Sequence, residues 1–292
     1  MAGGLAAAQL PLRGAAGPTA GDIVKQIQER LGGDWSGAGP DGFKAGSPET
    51  AVRGIATTAM ATMEVLRQAA KAGLNLVVTH EPTFFGSRDG APPPAAPGVR
   101  GGGMGGVSAD DPVLSAKRAF IEQNGFVVFR LREHWLARKE NDTVAGLADS
   151  LGWSARPVPG EAGMFDIPET TAQAAVALIR KRLDLRGGLR AIGDPKARVR
   201  RVLLHPGLMP PQVTLKQFDK VDLLVAGEVR EWECPTYAAD VGTAGFGRNL
   251  VTIGRVVSED PGMRACAAWL RTFVKGVPVE WISSGDPYWR VA

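Results

Sequence analysis

Apolar positions in this chain follow two spacings in alternation, and the alternation recurs in both halves. From Asp22 to Leu31, residues Ile23, Val24, Ile27 and Leu31 repeat at helical spacing and stop at Gly32-Gly33, which predicts an amphipathic opening helix. Residues 33–49 read as a Gly/Pro-rich loop. Val52 to Thr58 reads as a strand. Thr62 can cap a helix carrying Glu64 in its first turn and ending at Gly73, and Leu74 to Val78 is a β-branched run that reads as a buried strand. Asp111-Pro112 starts another helix, terminated by Asn124-Gly125, and Phe126 to Leu131 is the next buried strand. These units are βαβ, so the strands are expected to be parallel. Residues 132–136 are expected to leave the strand extended, with Arg132, His134 and Leu136 on one face. Asn141 or Asp142 then opens a helix closed by Gly152.

The second half repeats the pattern. A helix is expected from Ile167-Pro168 through PETTAQAAVALIRKRL. Strands are expected at 189–192, 199–204, 221–226, 250–253 and 277–282, with helices after Pro210-Pro211, at 234–241, and from a Ser258 cap through 259–274. Strand and helix alternate throughout, so the fold class is α/β: two α/β lobes with mixed sheets, divided into residues 22–155 and 156–292.

Length and composition narrow the field. A chain of 292 residues is long enough for two modest cores. No apolar run approaches the ~18 residues a membrane span needs. The net charge of +4 is mild and the basic residues are scattered, so nucleic acid is not an expected partner, although a local basic patch lies between Arg180 and Arg201. Cys234 and Cys266 lack metal-ligand spacing, and two cysteines do not make a disulfide scaffold. Residues 1–21 read as a disordered tail or the remnant of an export signal; cytoplasmic location is the default and export the alternative. Residues 86–109 read as a flexible Gly/Pro-rich insertion, placed where a lid would be.

Candidate chemistry gathers at strand ends. Thr79-His80-Glu81-Pro82 follows a buried strand directly, where open α/β folds place ligands, and puts an imidazole beside a carboxylate. His134 leaves the carboxyl end of the next strand, so two successive strands deliver a His to one rim. His205 ends a third, and the plainer reading of it is a packed or solvated residue. Trp135, Trp232 and Trp289 are expected in the core by default. No Gly-rich phosphate loop or nucleophile signature is present.

The segment VRGIATTAMATMEVLRQAAKAGLNLVVTHEPTFF, with VDLLVAGEVREWE and NLVTIGRVVSEDPGM later, resembles the NGG-one-interacting-factor-three family, also called dinuclear metal-centre or GTP cyclohydrolase I type two-like proteins. The resemblance covers most of residues 22–291. It implies two α/β lobes facing across a central cleft, a ring-shaped homo-oligomer, commonly a hexamer, and a metal-dependent hydrolase acting on a nucleotide-like or phosphorylated small molecule. Carried over by position, His80 matches the first family His and Glu81 replaces the second, as in a Thr-His-Glu-Pro sub-branch. The central Asp falls on Leu136, that segment's first His on Arg132, the late His on Arg255, and the final carboxylate on Glu259. His134 is the substitute ligand, Glu228 the pocket carboxylate that would accept a proton, and Glu231 a further pocket residue alongside Arg132 and Arg255.

The substitutions leave two readings open. One or two divalent ions (Zn, Mn or Fe) sit on His80, Glu81, Glu259 and His134. Alternatively the guanidiniums of Arg132 and Arg255 take the cation's place beside Glu81 and Glu259, and the protein is a non-catalytic binder or scaffold with a degenerate metal site.

Overall fold

The computed structural model describes residues 17–36, 39–86, 89 and 110–289. The expected tail (1–21) falls outside them for residues 1–16, and nearly all of the expected insertion (86–109) does too. Within them the fold is α/β with two mixed five-stranded sheets.

The first lobe runs α1 (Ala20–Leu31), β1 (Gly42–Ala45), β2 (Ile55–Thr58), α2 (Met63–Lys71), β3 (Leu76–Thr79), α3 (Pro112–Gln123), β4 (Val127–Arg130), α4 (Glu133–Leu136) and α5 (Asp142–Leu151). α1 starts earlier than its hydrophobic pattern indicated, because Thr19 is the cap and Asp22 is the third helical residue, closing a capping box with it. Thr62 caps α2, and Asp111 caps α3 with Pro112 behind it, as the local chemistry requires.

β2, β3 and β4 are parallel neighbours with consecutive register, Thr58 opposite Thr79 and Thr79 opposite Arg130. Their continuous apolar runs follow from burial on both faces. Leu76, Val78, Val127 and Phe129 face α1 and the late helix described below, while Val77 and Val128 face α2 and α3. β1, hidden in what reads as a Gly/Pro-rich loop, pairs antiparallel along the edge of β4.

The chain continues through β5 (Met164–Thr171), α6 (Ala172–Arg182), β6 (Arg190–Ile192), β7 (Arg198–Leu208), α7 (Pro211–Gln217), β8 (Leu223–Glu228), α8 (Cys234–Thr243) and β9 (Asn249–Thr252), whose strands form the second sheet, and ends in α9 (Arg255–Phe273) and β10 (Val279–Trp281). The expected helix over 168–183 is shorter: residues through Thr171 pair antiparallel with β7, and Thr171 caps α6. Pairing with β7 thus overrides the helical pattern of PETT.

Strand β10 does not join the lobe that precedes it in sequence. It pairs in parallel with β2 and completes the first sheet in the order β1-β4-β3-β2-β10. Helix α9 packs against β2 and β10 of the first sheet and β7 and β8 of the second. Every residue from Ser258 to Met263 is buried, so its first turns lie where the two lobes meet.

Candidate functional site

The site is assembled from the ends of β3 and β4 and the first turns of α9. Beyond β3 the chain keeps pairing with the segment after β2: the His80 N–H donates to the Thr58 carbonyl and the Glu81 N–H to that of Ala59. The Thr79 hydroxyl accepts from the Ala61 N–H and donates to the Glu81 carbonyl, while Arg130 Nε donates to the His80 carbonyl. His80 and Glu81 are therefore fixed by backbone contacts, and both are buried.

Glu259 arrives from the other side. α9 begins at Arg255 after Gly254, one turn before the expected Ser258 cap. Ser258 is inside the helix, where its hydroxyl donates to the Arg255 carbonyl and accepts from the Gly207 N–H. Gly207 has φ of 76°, and a Cβ there would lie 2.5 Å from Glu259 Oε1. Only a glycine leaves that carboxyl its place.

His80 and Glu259, far apart in sequence, meet with 3.7 Å between Nε2 and Oε1. Two guanidiniums knit the carboxyls together. Arg132 Nη1 lies 2.5 Å from Glu81 Oε1 and 3.3 Å from Glu259 Oε1; Arg255 Nη2 lies 3.0 Å from Glu81 Oε1, its Nε 4.0 Å from Glu259 Oε2, and its Nη1 3.5 Å from Glu228 Oε2. Burial disfavours ionisation of Glu81, yet Arg132 and Arg255 outweigh it and hold its pKa below the usual carboxylate range. Burial, reinforced by the negative charge of Glu81, pushes Glu259 up to about 8, so the pair retains one proton. Burial, with Arg132 adding to it, drops His80 to about 4 and keeps the imidazole neutral.

Ligating atoms of His80, Glu81 and Glu259 all lie within 4.8 Å of one another, so this group could hold a metal ion. Both ring nitrogens of His80 and Oε2 of Glu259 lack a hydrogen-bond partner. Oε1 of each carboxyl, however, is already engaged by a guanidinium. The donor set suits one ion at most; among the described residues no second group of ligands adjoins it.

The remaining expected residues separate. His134 does not join the group, because residues 133–136 form α4 instead of continuing as a strand. Asp41, unremarkable in sequence, accepts from the backbone N–H of Arg132, Glu133 and His134 and from His134 Nδ1–H at 2.8 Å. His134 Nε2 faces the Asp34 carbonyl, and the ring stacks on Trp35, so neither nitrogen is open to a metal. Capping by Asp41 turns the chain and aims Arg132 inward. Glu228 stands at the end of β8, exposed and within reach of Arg255. Glu231 is exposed and pairs with Arg190.

His205 is half-buried in β7, with burial pulling its pKa down. Trp135 is buried against Trp269, whereas Trp232 and Trp289, expected in the core, are 75% and 78% exposed. In the basic patch, Arg190, Arg198 and Arg201 each pair with a carboxylate, of Glu231, Glu169 and Asp166. No helix among the described residues is long and apolar enough to cross a membrane.

A cavity of about 610 Å³ opens beside Glu81, lined also by Arg130, Arg255, Lys117, Met60, Met63 and Phe85. Nothing in the sequence announced Lys117, which reaches this cavity from α3.

Comparison with known proteins follows the fold. The Staphylococcus aureus protein SA1388 superposes with a TM-score of 0.69 at 15% identity, covering 94% of this chain and 99% of its own. A Bacillus cereus protein related to NIF3 gives 0.67 at 13% identity over 95% and 100%, and reduced HcgD from Methanocaldococcus jannaschii gives 0.57 at 15% over 91% and 97%. At such identities the likeness is one of fold. No curated protein sequence matches the chain. Residues 22–91, which carry His80 and Glu81, match the family described as Duf34/NIF3 (NGG1p interacting factor 3). The family match covers the N-terminal part of the chain, and over nearly its whole length the chain shares the fold of a protein related to NIF3.

Proposed function

We propose that this protein binds an anionic small molecule in the cleft beside Glu81, with an ion-pair network standing where relatives would place a metal. One observation carries the reading: Arg132 and Arg255 already neutralise the two carboxyls a cation would need. Two fixed guanidinium charges stand around Glu81, and Glu228, the other carboxylate that Arg255 reaches, is exposed to solvent; this arrangement disfavours a divalent ion and favours an anion. Arg255, part-exposed at the cleft, is the group best placed to meet it. Elemental analysis of the purified protein tests this. The expected result is far less than one equivalent of Zn, Mn or Fe and unfolding insensitive to EDTA; near-stoichiometric metal that disappears in His80→Ala overturns it.

The second reading is a metal-dependent hydrolase acting on a nucleotide-like or phosphorylated small molecule. It is favoured by the unbonded ring nitrogens of His80 and the free Oε2 of Glu259. His80, Glu81 and Glu259 would hold the ion, which supplies Lewis acidity and lowers the pKa of water. Glu228, solvent-exposed at the end of β8, is the carboxylate available to take a proton. Metal-dependent release of phosphate or ring-opened product that is lost in Glu228→Gln would establish this reading over the first.

Assembly into a homo-oligomer, a hexamer by family resemblance, fits the exposed Trp232, Phe246, Tyr288 and Trp289. Light scattering on the eluting protein checks it, and a monomer at micromolar concentration refutes it.

A further inference from the structure

The cavity beside Glu81 is polarised along its depth. Its floor is ionic and buried, formed by Glu81, Arg130 and Lys117 with Arg255 alongside; its rim is apolar, with Phe85 44% and Val113 57% exposed and Met60 and Met63 part-buried. Among the lining residues Arg130, Lys117 and Arg255 face Glu81, while Asp89, outside the lining, acts on Arg130 and Lys117 and Glu228 pairs with Arg255. A volume of about 610 Å³ lies within the range of small-molecule sites.

Lys117 singles this cavity out. Its side chain is buried, and Asp89, the carboxylate that acts on it, makes no direct ion pair with it. Its ammonium donates to the Thr83 carbonyl at 2.5 Å and lies 5.0 Å from the centre of the Phe85 ring. A buried cation whose nearest acting carboxylate stands beyond ion-pair distance is only partly compensated, and an anion in the cavity would complete the compensation. Phe85 has φ of 58°, a conformation that bulky residues rarely adopt and that collects at ligand-holding sites. Burial lowers Lys117 to about 8, which still leaves the amine mainly protonated near neutrality.

We propose that this cavity takes an amphiphilic organic anion, its charged head on Lys117 and Arg255 and its apolar body against Met60, Met63, Phe85 and Val113. The inference rests on the anion-binding reading above and narrows its ligand class. The head is a phosphate monoester or a carboxylate, either of which matches two cationic donors.

Calorimetric titration of the full chain with phenyl phosphate, octanoate and inorganic phosphate tests it. At least one of the two amphiphiles is expected to bind tenfold or more tightly than inorganic phosphate, and which one does identifies the head. Lys117→Met is expected to weaken that binding at least tenfold, while Arg264→Met, whose side chain lines a different crevice, leaves it unchanged. Met63→Trp, which fills the rim, is expected to abolish it and serves if Lys117→Met misfolds. Equal affinity for all three probes, or amphiphile binding untouched by both cavity variants, overturns the inference. Inorganic phosphate binding that depends on Arg255 and not on Lys117 would do so while leaving the broader anion site standing. Stoichiometric metal combined with Lys117-dependent amphiphile binding would support this cavity and remove the ion-pair network as a metal substitute.

Discussion

Arg132→Met separates an ion-pair network from a metal centre by sign. Arg132 Nη1 lies 2.5 Å from Glu81 and 3.3 Å from Glu259, and its side chain is only 16% exposed. At an effective dielectric constant of about 20, unit charges roughly 3 Å apart attract by about 5 kcal/mol, much of which offsets the desolvation of the ions. Deleting one partner of such a buried pair costs about 3 kcal/mol, because Glu81 keeps its burial and loses a neutralising neighbour. For a protein of this size that is a fall in Tm of about 5 °C. The same substitution removes a positive charge from beside the donors of His80, Glu81 and Glu259, so affinity for Zn should rise. Thermal unfolding with EDTA or with added Zn reads both effects. The variant should be less stable than wild type in EDTA and regain stability with Zn, which leaves the wild type unmoved. A variant within about 1 °C of wild type in EDTA, or a wild type that itself gains several degrees from Zn, would refute the reasoning.

The other predictions are more local. Lys117, lowered to about 8 from an ordinary 10.5, contributes a stability that is present above pH 10.5 and lost as pH falls through 8, because the unfolded chain binds its proton first. Lys117→Met should therefore exceed wild type at pH 7 by about 2 kcal/mol, taking roughly 3 from the shift and deducting about 1 for the orphaned Thr83 carbonyl, and the advantage should vanish near pH 11 in denaturant titrations. Gly207→Ala should cost at least about 2 kcal/mol in the same titrations, combining a positive φ with displacement of Glu259. Asp41→Ala should lose about 1–2 kcal/mol from the cap of α4, and near-ultraviolet circular dichroism should report the release of the Trp35–His134 stack.

What the sequence made legible follows from local chemistry. The caps at Thr62 and Asp111 and the buried runs of β3 and β4 rest on patterns a few residues long, whereas the pairing of His80 with Glu259 is expected only from the family resemblance. The misses are tertiary. β1 and β5 exist because a neighbouring strand offers them hydrogen bonds, and neither Gly42–Ala45 nor Met164–Thr171 displays the alternation of a half-buried strand. The extended reading of 132–136 failed because Asp41, some ninety residues earlier, supplies the cap that makes α4 a helix. His134 left the site with it. Lys117 was hidden because a lysine on an amphipathic helix ordinarily faces water.

The return of β10 to the first sheet has a bearing on synthesis. As the polypeptide emerges, His80 and Glu81 can be presented on three parallel strands early, but β2 keeps an unpaired edge until residues 279–281 arrive. That edge is open to pairing with other chains in the meantime. The carboxyl of Glu259, on the helix just upstream, comes equally late. The sheet edge and the Glu259 side of the site are therefore completed only once residues 255–281 have left the ribosome, and chains truncated before residue 279 should aggregate through the open edge of β2.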